Sequence, residues 1–368
     1  MMSNRMAYMK VIQVIARMNE GGTARWIETL IIGLRNSGME VILLAGFVEE
    51  NEKEDSSFQS LGGVRIRHLG RSISILNDLK CIFTLRRIIK KEKPDLINTH
   101  TAKAGALGRI AAAGLGIKVV HTYHGHLLNG YFSRYITKFF IVIEKVLSLI
   151  TDGFISVGSK VRDELVQAGI SSNQKYKVIY PGIAMHDLQS RSEARRSFGI
   201  QESEFVVGWL GRIVQIKRPD LLVEIAKELP ETKFLVGGNG ELVQMIQDSN
   251  LSNLIFVGWQ SPQAFWPACD SALLTSDNEG MPTALIEAAM TGLPLVARNV
   301  GSVSEIFQDK KGGILASSKK EIIEAIDKLR IDESARINMG TAARTFAISE
   351  FGVERFIEKH VAFYRSLI

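Results

Sequence analysis

The segment 272–297 reads ALLTSDNEGMPTALIEAAMTGLPLVA and contains a strand, a loop, a helix and a second strand. The apolar run 272–275 predicts a buried strand. Pro282 or Thr283 suits the first turn of the helix, because a proline there loses no intrahelical hydrogen bond. A second apolar run follows at 294–297. Two strands joined through a helix predict a parallel sheet.

Two carboxylates of this segment stand eight residues apart. Glu279 lies in the loop before the helix and Glu287 projects from its second turn. Both can face one ligand beside a helix N-terminus, whose free N–H groups and dipole favour an anion. We interpret this as a nucleotide-sugar site, with the diphosphate at the helix end, Glu287 on a vicinal diol such as ribose, and Glu279 on the sugar. The alternative is a solvent-facing Glu and an unrelated loop Glu.

Composition indicates a globular protein, with 46% hydrophobic and 23% charged residues among 368, enough for two domains. Cys81 and Cys269 are far apart in sequence, so they predict neither a disulfide framework nor a zinc site and fit a reducing cytoplasm. The first apolar run is too short for a signal peptide, and the run 136–150 is interrupted by charges. We therefore expect no segment that crosses a membrane.

The basic residues are concentrated in the first half of a chain whose net charge is +6. This excess indicates an anionic partner. Nucleic acid is not expected, because no helix-turn-helix, zinc or RNP pattern occurs. An anionic membrane surface or a diphosphate-bearing acceptor fits better, and the segments 79–93 and 131–145 can lie on such a surface. The alternative for 79–93 is an ordinary solvated helix face; its basic residues are Arg86, Arg87, Lys90, Lys91 and Lys93.

Strands and helices alternate along most of the chain, which predicts two doubly wound, Rossmann-like α/β domains. We place the first domain at 1–182, a polar linker at 183–196 and the second domain at 197–351. Ligands of such sheets bind at the carboxyl ends of the strands, so we expect a cleft between the domains. Strands are predicted at 10–16, 41–44, 64–69, 96–98, 118–123, 153–157, 176–180, 205–210, 233–236, 254–257, 272–275, 294–297 and 313–315.

Two further motifs follow strands of the predicted second domain. In GRIVQIK, Arg212 and Lys217 can both reach a diphosphate, Arg through its planar fork and Lys as a point charge. A solvated pair beside a turn is the alternative. The GGNG sequence at 237–240 either lets the backbone approach a ligand or forms a tight left-handed turn.

His124 follows the predicted strand 118–123, in a stretch with three histidines among six residues. We expect its ring to point into the interdomain space, where it can hydrogen-bond a sugar hydroxyl or an incoming acceptor. A structural role is the alternative. Metal ligation is not expected, because no carboxylate or Cys lies at ligand spacing.

Several motifs are missing from the sequence. Neither GxGxxG after the first strand nor GxxxxGK[ST] is present, which disfavours a dinucleotide-dependent dehydrogenase and a P-loop enzyme. No DxD pair is available to hold a divalent ion on a diphosphate. Positive charge at the leaving group would then come from Arg212, Lys217 and the helix end, so we expect transfer without a metal or other cofactor.

Over almost its whole length the chain resembles the retaining glycosyltransferases of family 4, which have the GT-B fold. The motifs that carry the resemblance are EGMPTALIEA at 279–288, GRIVQIKRPD at 211–220, GGNGEL at 237–242, NEGGTARW at 19–26 and TYHGH at 122–126. The stretches 100–114 and 119–133 are most similar to members that build capsule, O-antigen or exopolysaccharide repeat units on polyprenyl-diphosphate carriers.

The resemblance implies roles by position. Glu287 would bind the nucleotide ribose and Glu279 the donor sugar. Arg212 and Lys217 would bind the diphosphate, and His124 would contact the sugar near the reacting carbon. Further donor-binding positions are implied at Gly21, Gly22, Gly211, Gly238, Asn239, Gly280, Met281, Pro282, Thr283 and Ala284.

The resemblance also implies the course of the reaction and the path of the chain. The anomeric configuration is retained through a front-face mechanism, in which the departing β-phosphate oxygen takes the proton of the acceptor hydroxyl. The segment 352–368 forms a helix that crosses back onto the first domain. Many relatives carry a bulkier aromatic residue at the position of Met281, which leaves the donor sugar open.

We therefore expect a cytoplasmic, membrane-associated transferase that moves a hexose or N-acetylhexosamine from a nucleotide-diphosphate sugar to a lipid-linked saccharide. UDP is the expected nucleotide. The same fold with a soluble small-molecule acceptor remains an alternative. A non-catalytic sugar-nucleotide-binding protein is a second one, which the intact Glu279, Glu287, Arg212 and Lys217 disfavour.

Overall fold

Two parallel sheets organise the computed structural model, which describes residues 9–50, 52–70, 72, 74–125, 134–185, 187–307 and 311–368. The chain divides into a first unit, Met1–Gly182 with Val353–Ile368, and a second unit, Ile183–Gly352. The predicted α/β class is confirmed. The implied return of the last helix to the first part of the chain is confirmed as well.

The first unit alternates strands and helices. Its sheet has the order β3-β2-β1-β4-β5-β6-β7, and all its pairs are parallel. The elements are β1 Lys10–Ile15, α1 Gly22–Asn36, β2 Glu40–Ala45, α2 Ser57–Ser60, β3 Val64–Arg65, α3 Ile75–Glu92, β4 Leu96–His100, α4 Ala102–Ala112, β5 Lys118–Tyr123, α5 Arg134–Ser148, β6 Gly153–Ser156, α6 Ser159–Gln167 and β7 Tyr176–Val178.

The second unit repeats this design with the sheet order β10-β9-β8-β11-β12-β13. Its elements are α7 Arg191–Ser197, β8 Val206–Leu210, α8 Pro219–Glu228, β9 Lys233–Gly237, α9 Val243–Asp248, β10 Leu254–Phe256, α10 Pro262–Phe265, β11 Ser271–Leu274, α11 Thr283–Met290, β12 Leu295–Arg298, β13 Gly313–Ala316, α12 Lys319–Ile331 and α13 Glu333–Phe351. The helix α14, Val353–Leu367, then belongs to the first unit.

Helices cover both faces of the first sheet, which explains why its central strands are buried on both sides. One face packs against α1 and α14, through buried residues such as Ile27, Leu30 and Phe356. The two helices are close enough that a Cβ added at Gly33 would lie 2.1 Å from Ile357 Cδ1. The opposite face carries α3 and α4, and α4 also packs against α5.

Each sheet has one point at which the strand order reverses. In the first unit it lies between β1 and β4, and in the second between β8 and β11. Loops that leave the carboxyl ends of such strands turn to opposite sides of the sheet and open a crevice, which is where doubly wound sheets bind ligands. Both switch points are therefore where functional side chains are expected.

Two predicted segments differ clearly from the structure. The predicted linker 183–196 contains most of helix α7, where buried Arg195 donates to Asp270 at 2.7 Å. The third strand ends at Arg65, because that side chain turns back to the Gly46 carbonyl and to Glu54. Helix α9 begins only at Val243, six residues after β9, because Leu242 N donates to the Ile213 carbonyl of a neighbouring loop at 3.0 Å.

No helix in the described ranges has both the length and the apolar composition that a bilayer span requires.

Candidate functional site

Two loops of the second unit meet at its switch point, after β8 and after β11. Trp209 Nε1 donates to Thr275 Oγ1 at 2.9 Å, and Thr275 Oγ1 donates to the Lys217 carbonyl at 2.7 Å. Asp277 N donates to the Ile216 carbonyl at 2.9 Å. These bonds join the loops, so the side chain of Lys217 is held beside the segment that carries Glu279.

Lys217 and Glu279 form an ion pair. Ser276 Oγ donates to the same oxygen, Glu279 Oε1, at 2.6 Å, and no donor in the described part of the chain reaches Oε2. The exposed fractions of the two side chains are 21% for Lys217 and 10% for Glu279, so the pair is well shielded but still reachable. One carboxylate oxygen is thus fixed and the other can accept hydrogen bonds from a ligand.

Helix α11 begins at Thr283, as the sequence predicts, with Pro282 as its N-cap and no capping side chain. Its first N–H groups therefore suit an anion. Glu287 lies one turn into this helix and is only 5% exposed. Met281 and Pro282, which directly precede the helix, are buried as well.

Arg212 and Gly211 occupy the open side of the β8 loop. The Arg212 side chain is exposed, and no hydrogen bond or ion pair joins it to another described residue. A Cβ added at Gly211 would meet nothing within 4 Å. Arg212 is therefore free to reach a ligand that lies near Lys217.

The GGNG segment packs against backbone rather than against open space. A Cβ on Gly238, whose φ is 138°, would lie 1.8 Å from the Gly211 carbonyl oxygen, and one on Gly240 would lie 2.3 Å from that of Ile213. Ile213 N donates to the Asn239 carbonyl at 2.8 Å. Gly238 and Gly240 are thus needed so that two loops can approach each other, a reason that neither interpretation of the sequence included.

Arg298, the last residue of β12, was not among the predicted site residues. Its guanidinium pairs with Asp277 and lies 3.3 Å and 3.4 Å from the carbonyl oxygens of Ser276 and Thr275. It therefore supports the loop that holds Glu279. Its position at the carboxyl end of the strand next to β11 was the available sequence signal.

In the first unit, His124 faces its own core along one edge. His124 Nε2 lies 2.9 Å from His100 Nδ1, and the ring packs edge-on against Trp26 with centroids 4.9 Å apart. Burial lowers the pKa of His124 to about 4, so the ring is neutral at physiological pH. His124 also lines a small cavity with Thr101 and Ala102, beside the start of α4.

The sequence also singled out two further histidines and Gly21 and Gly22 in the first unit, and His121 lines the same small cavity as His124. His121 is a buried residue of β5 that is 2.9 Å from Thr99 Oγ1, which is a structural role, and His126 falls outside the described residues. Gly21 precedes α1 and Gly22 begins it. A Cβ added at Gly21 would meet nothing within 4 Å, so the backbone there is accessible.

Among the described residues, no group of three or more His, Cys, Asp or Glu side chains is arranged to hold a metal ion.

The chain matches two protein families in succession. Residues 20–186 match the family described as Glycosyltransferase Family 4, and residues 190–346 match Glycosyl transferases group 1. It is 27% identical over 323 residues, 82% of each chain, to the Escherichia coli UDP-Gal:alpha-D-GlcNAc-diphosphoundecaprenol alpha-1,3-galactosyltransferase. It is 23% identical to the Staphylococcus aureus capsular polysaccharide biosynthesis glycosyltransferase CapM, over 91% of this chain and 92% of that one.

Solved structures share the fold. The Anabaena protein HepE, crystallised in complex with UDP, superposes with a TM-score of 0.82 at 20% identity, covering 97% of this chain and 100% of that one. This chain has the GT-B fold that its sequence motifs imply, with one Rossmann-like sheet in each of its two units.

Proposed function

Since the chain belongs to glycosyltransferase family 4 and continues into a group 1 glycosyltransferase domain, we propose that it transfers a hexose or N-acetylhexosamine from a UDP-sugar to a saccharide on a polyprenyl-diphosphate carrier. The observation that carries this proposal is the arrangement of Lys217, Glu279 and helix α11 at the switch point of the second sheet. The S. aureus relative is named for capsular polysaccharide biosynthesis, which supports a role in the synthesis of a surface polysaccharide.

Complementary charge supports the donor. Arg212 and Lys217 bring two cations to the sheet end at which α11 begins, and the uncapped helix start adds N–H donors, a combination that suits a diphosphate. Glu287, buried in α11, would accept hydrogen bonds from the ribose diol. UDP is proposed because the E. coli relative is named for UDP-Gal, and the Anabaena protein was also crystallised with UDP-glucose.

The proposed reaction retains the anomeric configuration. The bond from the sugar C1 to the β-phosphate oxygen breaks while the acceptor oxygen bonds to C1 from the same face, and the departing phosphate oxygen takes the acceptor proton. Arg212, Lys217 and the α11 N–H groups stabilise the charge on the diphosphate without a metal ion. Glu279 Oε2 would bind the donor sugar, while Oε1 stays fixed by Ser276 and Lys217.

A lipid-linked acceptor is proposed because the E. coli relative is named for GlcNAc on diphosphoundecaprenol. The test is a transfer assay that combines UDP- and GDP-sugars with a polyprenyl-diphosphate saccharide or with water-soluble sugar acceptors. We expect product only with a UDP-sugar and the lipid-linked acceptor, with the configuration of C1 kept and with full activity in EDTA. Efficient transfer to a soluble acceptor would instead favour the alternative acceptor class. Binding of UDP-sugar without transfer or hydrolysis would indicate a binding protein.

An exposed apolar stripe on helix α5 supports association with a membrane surface, which we place at the cytoplasmic leaflet. Tyr135, Phe139, Val142 and Val146 are each more than half exposed and recur along one side of the helix. The opposite side packs against the protein through the buried Leu147 and the buried Glu144, whose carboxylate accepts from Arg109. A helix with apolar side chains outward and a charge inward is expected at a lipid surface rather than in water.

Exposed basic residues on α5 and α3 also fit an anionic lipid surface. Lys138 and Lys145 are exposed on α5, and Arg87 and Lys90 are exposed on α3, whose residue Phe83 is 71% exposed. Each basic side chain near such a surface contributes about 1 kcal/mol. Arg86, predicted on the same basic face, is instead engaged in donating to the Ala111 and Ala113 carbonyls at the end of α4, at 2.9 Å and 2.8 Å.

Vesicle flotation tests the membrane proposal. The wild type should float with vesicles of mixed neutral and anionic lipid, and replacing Phe139 and Val146 with Asp should abolish flotation. The matched control replaces Ile337 and Ile348, which are comparably exposed on α13 of the second unit. Equal flotation of the α5 and α13 variants would contradict the assignment of α5.

A further inference from the structure

A chain of polar side chains crosses the first unit beneath helices α1 and α14. Asn98 Nδ2 donates to Tyr364 Oη at 2.7 Å, and Gln13 Nε2 donates to the same oxygen at 3.4 Å. Gln13 Oε1 lies 2.8 Å from His100 Nε2, and His100 Nδ1 lies 2.9 Å from His124 Nε2. Gln13, Asn98, His100 and Tyr364 are fully buried. This series of hydrogen bonds therefore connects helix α14, through Tyr364, with the predicted site residue His124.

This chain lies at the switch point of the first sheet. Gln13 belongs to β1, His100 ends β4, and His124 directly follows β5. The residue after His100, Thr101, has φ 66° and ψ 157°, a combination that non-glycine residues rarely adopt and that costs roughly 1–3 kcal/mol. The backbone at Thr101 is therefore held in this conformation by the residues around it. It lies at the end of the sheet where ligands are expected.

The hydrogen bonds define one order of protons along the chain. Gln13 Nε2 donates to Tyr364, so Gln13 Oε1 is the amide atom that faces His100. An amide oxygen only accepts, and His100 Nε2 therefore carries the proton. Burial lowers the pKa of His100 well below its usual range, so the ring is neutral and its Nδ1 accepts. His124 Nε2 then donates, and no described residue forms a hydrogen bond with His124 Nδ1, which has a lone pair. This nitrogen can accept a hydrogen bond from a hydroxyl group of a ligand.

Aromatic packing holds the two imidazoles in place. Trp26 of α1 lies edge-on to His100, with ring centroids 5.3 Å apart, and edge-on to His124 at 4.9 Å. The same indole packs against Phe356 and His360 of α14, at 5.1 Å and 5.0 Å. Both the hydrogen-bonded chain and the aromatic contacts thus depend on α14.

We propose that His100 is a positioning residue that fixes the ring orientation and the Nε2–H tautomer of His124, and that α14 anchors it through Tyr364 and Gln13. The inference rests on the proposed function, in which His124 contacts the transferred sugar or the acceptor. His100 does not touch the ligand and acts only through His124.

The tautomer is tested by ¹⁵N NMR of histidine-labelled full-length protein. His124 should show a protonated Nε2 and an unprotonated Nδ1. His100→Leu removes the acceptor and should yield a mixture of tautomers, whereas His100→Asn keeps an acceptor near Nδ1 and should preserve the wild-type signature. His121→Asn is the control for removing a buried histidine of the same sheet. A His124 signature that is unchanged in His100→Leu would overturn the inference, whatever the kinetics show.

Transfer kinetics provide the second readout. His100→Leu should lower kcat by about tenfold to a hundredfold with little change in the KM for the donor, the range found for outer partners that orient metal-bound imidazoles. His100→Asn should restore most of the rate. In a His124→Ala background, His100→Leu should have no further effect, because it acts only through that ring. Independent, multiplicative losses would overturn the inference.

The two experiments separate this inference from the proposed function. Full activity of His124→Ala, together with an NMR signature that depends on His100, would remove the role of His124 in transfer and with it the positioning role in catalysis. An altered rate in His124→Ala, with no dependence of its ring on His100, would keep the function and reject the positioning.

Discussion

The ammonium group of Lys217 has a carboxylate partner before any ligand arrives. Glu279 shares one oxygen between Lys217 and Ser276, so a diphosphate must compete with this carboxylate or join it around the same cation. Glu287 is different, because it lies inside a helix and is buried beside the helix start. At the residue scale, Glu279 is thus proposed to link the cation to the sugar, and Glu287 is proposed as the acceptor for the ribose diol.

Replacing Lys217 with Ala should reduce kcat on the order of a hundredfold, as expected for removal of one charge-stabilising donor at a leaving group. The protein should remain folded, because Ser276 still donates to Glu279. Lys319→Ala, which removes exposed ion pairs between α12 and α8, is the control and should leave kcat unchanged. A Lys217→Ala enzyme with wild-type kcat would exclude Lys217 from leaving-group stabilisation.

An added methyl group should affect stability at one glycine of two adjacent loops and the KM for the donor at the other. Gly238→Ala places its Cβ against the Gly211 carbonyl, so the free energy of unfolding should fall by roughly 2–5 kcal/mol. Gly211→Ala meets open space and should change stability by less than about 0.5 kcal/mol, while raising the KM for the donor. Urea unfolding and donor kinetics of both variants measure this. Loss of stability in Gly211→Ala with an unchanged KM would contradict the assignment.

At the scale of elements, α5 is oriented by one buried charge. Glu144 accepts from Arg109 of α4 at 2.7 Å and from the Tyr123 hydroxyl at 2.6 Å. Arg109 is fully buried and also donates to the Gly105 carbonyl at 2.8 Å. This network holds the side of α5 that carries Glu144 and the buried Leu147 against the protein, so the exposed apolar stripe faces outward.

Glu144→Gln should lower the free energy of unfolding by about 3–5 kcal/mol, because it leaves the buried Arg109 without a counter-charge. Urea unfolding measures the loss. Glu324→Ala is the matched control, since its carboxylate forms only an exposed pair with Lys320 on α12 and its removal should cost under about 0.5 kcal/mol. Similar losses in the two variants would argue against a buried network.

Periodic and strongly apolar elements could be predicted from the sequence, and irregular ones could not. The strand 118–123 and the helix start at Pro282 or Thr283 are confirmed, because local patterns suffice for them. Helix α7 was missed, since its seven residues are mostly polar and its stability comes from Arg195 and a capping box at Ser190.

Side-chain partners were less predictable than positions. The sequence places Lys217 and Glu279 after strands that could be neighbours, yet their pairing depends on the strand order β8-β11. The network of His100 and Gln13 was missed, although Gln13 interrupts an apolar strand and His100 follows Asn98 and Thr99 in a fully buried one, which was the available signal. Gln13 and His100 are separated by 87 residues in the sequence, and local sequence patterns do not predict contacts over such a distance.

At the scale of the molecule, acid should weaken the first unit before the second. Burial lowers the pKa of His124 to about 4 and of His360 to about 3, with His100 and His121 lowered well below their usual range. Unfolded histidines, with a pKa near 6.5, bind protons first as the pH falls. Stability is therefore full above about pH 6.5 and is lost progressively below it, by at most about 1.4 kcal/mol per pH unit for each histidine.

Hydrogen exchange with mass spectrometry between pH 7.5 and 5 resolves the two units, after correction for the intrinsic exchange rate. Protection should fall in peptides from β1, β4 and β5 and change less in peptides from β8 and β11, because the described residues of the second unit include no histidine. His360→Leu should reduce the pH dependence of the first unit. Equal losses in both units would contradict this origin of acid sensitivity.

The path of the chain sets an order for biosynthesis. Helix α14 supplies Phe356, His360 and Tyr364 to the core of the first unit, although the ribosome makes it only after the entire second unit. A nascent chain can pair the strands of its first sheet early, but Trp26 and the buried histidines can be packed fully only after α14 has been synthesised. The first unit is therefore completed last, and a chain released before α14 would carry an unfilled apolar groove that chaperones and proteases can recognise.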